Sequence, residues 1–261
     1  MSYSTIETVV DGMVGRVTLN RPDVRNAFNE TTIEEITRAF RELGGNADIR
    51  TIVLAANGPA FCAGADLNWM KKMAGYTHEE NLADAGQLAE MLRTIYACPK
   101  PVVAKVQGDC YAGGMGLVAA CDIVIAAEPV NFCLSEVKLG LIPATISPYV
   151  IRGMGENAAR RYFLTAERFS AHEAHRIGFV HALASPDNLD AMTADIVKAL
   201  VTNSPNAVKE AKRLVQDVAG KPLTAELIAD TAERIADIRS SDEGKEGVRS
   251  FLEKRKPNWL G

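Results

Sequence analysis

Ala104-Lys-Val-Gln-Gly-Asp-Cys-Tyr-Ala-Gly-Gly-Met-Gly-Leu-Val-Ala-Ala-Cys-Asp122 is the stretch from which the fold can be read. An apolar run of β type (Val102, Val103, Ala104, Val106) stops at Gly108, a short loop reaches Gly113-Gly114, and small residues from Met115 to Cys121 predict a helix. A glycine pair between a strand and a helix lets another group approach the backbone with no Cβ in the way. It also leaves the first N–H groups of the helix unpaired, at the positive end of the helix dipole. Such a turn can hold an oxygen on which negative charge develops, or can simply let helix and strand pack closely.

A second stretch tips the balance toward the first reading. Asn57-Gly-Pro-Ala-Phe-Cys-Ala-Gly-Ala-Asp-Leu67 also follows a continuous apolar strand (Ile52, Val53, Leu54, Ala55) and ends in a small-residue turn before a helix. Two turns that each offer one backbone N–H make a two-donor oxyanion hole if their strands are neighbours.

Around these stretches the chain reads as α/β. Residues 5 to 20 predict two strands about Asp11-Gly12, and Thr31-Thr-Ile-Glu34 has the pattern of a capping box opening a helix that ends at Gly44-Gly45. Residues 49 to 55 lack alternation, as in a strand covered on both faces. Helices follow from Leu67 and from Glu79 to Cys98, then strands over 101–108, 122–127 and 131–137. Two helices are expected over 147–154 and 156–164, another over 171–177, and a strand over 179–183. From about Asn188 the pattern is helical throughout (188–202, 205–219, 224–238, 242–254), so residues 1–187 are expected to form the core and 188–261 a helical region that must pack on something else.

Composition narrows the function. A chain of 261 residues with net charge −4 gives no reason to expect nucleic acid or an anionic membrane as partner. The five cysteines (Cys62, Cys98, Cys110, Cys121, Cys133) form no C-x-x-C pair and sit among apolar or small residues, so neither zinc nor a disulfide framework is expected. No run approaches the ~20 apolar residues of a membrane span, and no cationic, apolar leader opens the sequence, so a cytoplasmic location is expected. His78, His172, His175 and His181 lie outside every motif, which argues against a histidine-based triad.

Phe61-Cys-Ala-Gly-Ala-Asp-Leu67, together with Gly108 through Gly116 and Cys121-Asp-Ile123, resembles the crotonase (enoyl-CoA hydratase/isomerase) superfamily, from about Val14 to Trp259. The resemblance implies a crotonase-like spiral of ββα units with a C-terminal helical trimerisation region, assembled as a homotrimer or a dimer of trimers. It implies an acyl-CoA thioester as substrate, with coenzyme A part of that substrate and no metal or redox cofactor. The Ala65 and Gly113 N–H groups match the two donors to the thioester oxygen, each worth about 3 kcal/mol in the transition state. Glu136 matches the later of two family glutamates; at the earlier position this chain has Gly116. Family members with the later glutamate alone include isomerases and some hydratases. Apolar surroundings are expected to raise the Glu136 pKa toward neutrality, as acid–base work requires.

For the CoA moiety, Arg25 matches a phosphate contact and the Ala63 carbonyl an adenine contact, while Asp66 and Leu67 line that loop. Phe251 and Lys254, in Phe251-Leu-Glu-Lys-Arg-Lys-Pro-Asn-Trp259, match residues that reach the CoA of a neighbouring subunit. Asp109 and Tyr111 adjoin the glycine turn, and Asp122 reads as structural. Asp66-Leu-Asn-Trp-Met-Lys-Lys72 and Leu139 through Pro148 look most like bacterial methylglutaconyl-CoA hydratase and its relatives. The expected activity is reversible hydration of a branched or glutaconyl-type 2-enoyl-CoA. A Δ3–Δ2 enoyl-CoA isomerase and a CoA-binding protein without efficient chemistry are the alternatives.

Overall fold

The computed structural model describes residues 3–261. A hairpin of β1 (Ile6–Asp11) and β2 (Val14–Leu19) leads to α1 (Glu30–Gly45). Strand-rich units follow: β3 (Thr51–Ala56) and β4 (Ala60–Cys62) with α2 (Leu67–Met73) and α3 (His78–Tyr96); then β5 (Val102–Val106) and β6 (Asp109–Tyr111) with α4 (Gly113–Ala119). The third unit is β7 (Ile123–Ala127) and β8 (Asn131–Cys133), a 3-10 turn (Glu136–Leu139) and α5 (Ser147–Thr165). The chain continues through β9 (Phe169–Ser170), α6 (Ala171–Arg176), β10 (Ala182–Ala184), α7 (Leu189–Thr202), α8 (Pro205–Val218), α9 (Ala225–Ser240) and α10 (Asp242–Leu252).

Each unit gives its first strand to one sheet and its second to another. The larger sheet has the order β1-β2-β3-β5-β7-β10, the smaller β4-β6-β8-β9. The chain therefore winds forward one strand at a time in both layers, the spiral expected for this α/β class. Every residue of β3 is buried, as its unbroken apolar run requires. Ile52, Leu54, Val102, Val103, Leu92 and Ile95 are among the residues that fill the core.

Local expectations fail where a competing group is better placed. The cap of α1 is Asn29, whose side chain accepts from the Thr32 N–H at 3.1 Å; asparagine is the stronger N-cap. A capping box forms instead at Thr77, which exchanges bonds with Glu80 at the start of α3. The strand expected over 131–137 stops at Cys133, because its partner β6 ends at Tyr111 and leaves nothing to pair with. Glu136 thus opens a 3-10 turn rather than closing a strand. The break expected between helices 147–154 and 156–164 does form, within α5, where Gly155 (φ 77°, ψ 158°) is non-helical.

In the C-terminal region, α7 lies on the larger sheet with Leu189 and Thr193 buried. By contrast, α8 and α9 bury no residue completely, and Leu223, Ile228, Val248 and Leu252 are exposed. One half-buried ion pair fastens α8 to the core. Lys212 Nζ meets Asp122 Oδ2 at 2.7 Å and the Lys100 carbonyl at 3.1 Å, while the same carboxylate oxygen accepts from the Val102 N–H at 2.7 Å. Burial pushes the Asp122 pKa up, and Lys212 pulls it back. Lys212→Met strands a half-buried carboxylate and is expected to cost about 2 kcal/mol in denaturant unfolding. A group whose native pKa is raised is favoured protonated, so this deficit grows as pH rises through the native Asp122 pKa. A deficit that is equal at pH 5 and pH 8 would contradict this assignment.

Candidate active site

Strands β4, β6 and β8 are neighbours in the smaller sheet and run parallel, with Cys62 opposite Cys110 and Tyr111 opposite Cys133. Their C-terminal ends therefore release three segments at one edge: Ala63-Gly64-Ala65-Asp66, Ala112-Gly113, and Leu134-Ser135-Glu136. Parallel pairing of short strands is what brings together residues so far apart in sequence.

The first turn is held by the segment ahead of α1. Phe28 donates its N–H to the Gly64 carbonyl and accepts from the Asp66 N–H, both at 2.9 Å, in an isolated parallel bridge with Ala65. In such a bridge the flanking residues face the partner, so the Ala65 N–H points the other way. Gly64 has φ +97°, and a Cβ there would stand 3.1 Å from Ala112 Cβ and 3.8 Å from the Gly113 nitrogen. The two turns are thus in contact. Among the described residues neither the Ala65 nor the Gly113 N–H has an acceptor. Ala112, just before Gly113, has φ 47°, a conformation that a side chain disfavours.

Glu136 completes the arrangement. Its Oε2 is buried and has no hydrogen-bond partner. Burial raises its pKa, and only its own backbone amide pulls the other way. Buried polar atoms are paired as a rule, so an orphaned carboxylate oxygen needs a reason, and proton exchange with a ligand is one. At position 116 there is no room for a second carboxylate. A Cβ on Gly116 would collide with Ile146 Cγ2, stand 2.8 Å from Ile146 Cβ and lie 3.5 Å from Leu92 Cδ2.

The residues matched to CoA divide into three groups. Arg25 is exposed, lies in the left-handed region at φ 53°, and its carbonyl accepts from the Ala63 N–H at 3.0 Å, so Arg25 and Ala63 are adjacent. Asp66 is buried and fully engaged: Oδ1 caps α2 through the Asn68 and Trp69 N–H groups, and Oδ2 receives Arg21 Nη2 at 2.8 Å. These contacts hold its pKa down against burial and make it the anchor of the turn, whereas Leu67, the next residue, is 75 % exposed. Phe251 and Lys254 stand apart from this set, for α10 packs on α9 and leaves Phe251 exposed.

Several neighbours have other tasks. Tyr111 donates to Asp109 Oδ2 at 2.5 Å, and Asp109 Oδ1 accepts from the Asn131 N–H, so both side chains brace β6 against β8. The five cysteines are free and buried, and burial raises the Cys62 thiol to about 12, far from a nucleophile. His181 is exposed, and its ring accepts from the Val124 N–H at 2.9 Å. Arg21, Phe28 and Ile146 were not expected at the site; only the segment carrying the first two gave a signal, through Arg25. The surface hollow of about 620 Å³ between α8 and α9 is not lined by Ala65, Gly113 or Glu136.

Chemically, two amides without acceptors on turns in contact, with a carboxyl whose Oε2 is buried at the same sheet edge, have the groups needed to stabilise an enolate-type oxygen and move a proton next to it. Comparison with known proteins agrees with that class. The chain belongs to the enoyl-CoA hydratase/isomerase family, which it matches over residues 10–261, and its mixed α/β architecture is the crotonase fold. It is similar to the solved enoyl-CoA hydratase of Shewanella pealeana, with 44 % identity over 98 % of this chain and 96 % of that one, at a TM-score of 0.95. The enoyl-CoA hydratase of Mycobacterium smegmatis is 32 % identical, over 99 % of this chain and 100 % of that one, at a TM-score of 0.93. Mevalonyl-coenzyme A hydratase of Aspergillus fumigatus is 34 % identical, over 93 % of this chain and 90 % of its own length.

Proposed function

We propose that the chain is an enoyl-CoA hydratase, adding water reversibly to a 2-enoyl-CoA with Glu136 as the sole carboxyl acid–base. The observation that carries this reading is the buried, unpartnered Glu136 Oε2 at the same sheet edge as two amides without acceptors. The thioester oxygen accepts from the Ala65 and Gly113 N–H groups. Water adds its oxygen to C3 as Glu136 takes one of its protons, and the alkene electrons move onto the thioester oxygen as an enolate. Glu136 then returns the proton to C2 on the same face, which restores the carboxylate and the thioester carbonyl.

The acyl group is branched or glutaconyl-type, as in methylglutaconyl-CoA hydratase. The segments 66–72 and 139–148 support this, as does the likeness to a protein named for mevalonyl-CoA. Of the cations near the first turn, Lys72 is paired with Glu30 at 3.0 Å and Lys71 is exposed and open to a distal carboxylate. Arg25, the Ala63 carbonyl and Leu67 face the CoA, with Phe251 and Lys254 reaching it from a neighbouring copy. Residues 188–261 are the oligomerisation region of a trimer or a dimer of trimers, supported by the exposed apolar side chains of α9 and α10. The location is cytoplasmic; among the described residues no helix is long and apolar enough to cross a membrane.

Ile146 favours a second reading. By closing position 116 it removes the usual place for a water-holding glutamate, as suits a Δ3–Δ2 isomerase that needs one carboxyl and no water. Turnover in isotope-labelled water separates the two. A hydratase converts 2-enoyl-CoA to 3-hydroxyacyl-CoA carrying solvent oxygen; an isomerase converts 3-enoyl-CoA to 2-enoyl-CoA carrying none.

A further inference from the structure

Phe28 is 2 % exposed, and its two ends meet different halves of the site. Its backbone forms the parallel bridge with Ala65, fixing the first turn through the Gly64 carbonyl and the Asp66 N–H. Its ring tip lies on the Cα of Gly113: a Cβ there would collide with Phe28 Cζ and stand 2.9 Å from Cε1. The ring is itself braced. Trp69 packs against it at 5.8 Å between centroids, and the indole N–H of Trp69 is held by Asp84 Oδ1 at 3.0 Å. Arg21 ties the preceding Ala27 carbonyl to the Asp66 carboxylate.

We infer that Phe28 is a positioning residue that sets the spacing of the Ala65 and Gly113 amides, the length of one phenyl group acting as the gauge between them. The inference rests on the reading that these amides hold the thioester oxygen. Two donors act together only when both reach one atom, and misplacement on the ångström scale costs rate rather than binding of the remote CoA moiety. A shorter side chain keeps the backbone bridge but leaves Gly113 free to settle into the space vacated by the ring tip.

The test compares Phe28→Leu and Phe28→Met with wild type, using acetoacetyl-CoA, which ionises to an enolate, and butyryl-CoA, which does not. For Phe28→Leu, kcat and the affinity for acetoacetyl-CoA should each fall about 10- to 100-fold. The butyryl-CoA Kd and the KM should stay within about threefold, since they report mainly the CoA contacts. Phe28→Met is long enough to reach Gly113 and should recover most of the loss. An unchanged preference of Phe28→Leu for acetoacetyl-CoA over butyryl-CoA overturns the inference. Should Phe28→Leu fail to fold, Phe28→Ile, equally short of Gly113, decides by the same two outcomes: a loss of preference of about tenfold or more is expected, and an unchanged one overturns. Failure of the underlying reading looks different, for then wild type itself would not prefer acetoacetyl-CoA.

Discussion

Glu136→Gln is expected to lower kcat on 2-enoyl-CoA by about 10²- to 10⁴-fold, the range for removing a general acid–base, while raising the melting temperature at neutral pH. Both effects have one cause. The carboxyl is half-buried, with Oε2 wholly buried and unpartnered, so its charged form is disfavoured and its pKa is raised above the ordinary 4.5. Between the unfolded and folded pKa values the native state binds more protons, so this group's contribution to stability falls as pH rises through that window. Above it the ionised carboxylate carries the full cost of burial, which glutamine avoids. The stabilisation of Glu136→Gln should therefore be present at pH 7 to 8 and vanish below the ordinary glutamate value. In wild type the acid limb of kcat/KM should lie above the usual carboxylate range, because the ionised form accepts the proton from water. Melting curves across pH and a pH–rate profile check both; a variant as active as wild type, or one less stable at pH 8, would contradict the assignment.

Gly64→Ala should be nearly as damaging to catalysis through geometry alone. The position has φ +97°, and a methyl group there would press on Ala112 Cβ at 3.1 Å and on the Tyr111 carbonyl at 3.4 Å. That contact spreads the two turns and moves the Gly113 N–H away from the oxygen shared with Ala65. A loss in kcat of about 10²-fold is expected from such a shift, with about 1–2 kcal/mol of destabilisation from the left-handed backbone. Gly12→Ala is the control. Gly12 also has positive φ, in the turn between β1 and β2, but nothing lies within 4 Å of its Cβ position. It should lose comparable stability and keep its kcat. Equal kcat losses in the two variants would mean that Gly64 matters only for folding.

Much of this was legible in the sequence, for particular reasons. The continuous apolar runs of β3 and β5 announced strands covered on both faces, and Gly64, Gly113 and Gly114 marked where the backbone is approached closely. The second sheet was not legible. Its strands β4, β6 and β9 are two or three residues long, too short for any period, and Ala60–Cys62 and Asp109–Tyr111 read as loop. That the two turns converge came from resemblance, since only strand pairing in that short sheet brings them together. Gly116 was visible as a missing carboxylate, but Ile146 as the side chain filling its place depends on how the loop before α5 returns to α4. Phe28 in isolation looks like any core aromatic; its meeting with Gly113 is a tertiary fact. Asp66 likewise read as part of a binding loop, whereas Arg21, distant in sequence, commits it to holding the turn.

The most direct test of the site is a crystal structure of the protein with acetoacetyl-CoA bound. The thioester oxygen should lie within about 2.7–3.1 Å of both the Ala65 and the Gly113 nitrogens, with Glu136 Oε2 over the adjacent carbon. A thioester oxygen that meets neither amide, or a Glu136 carboxylate turned away from that carbon, would contradict the account.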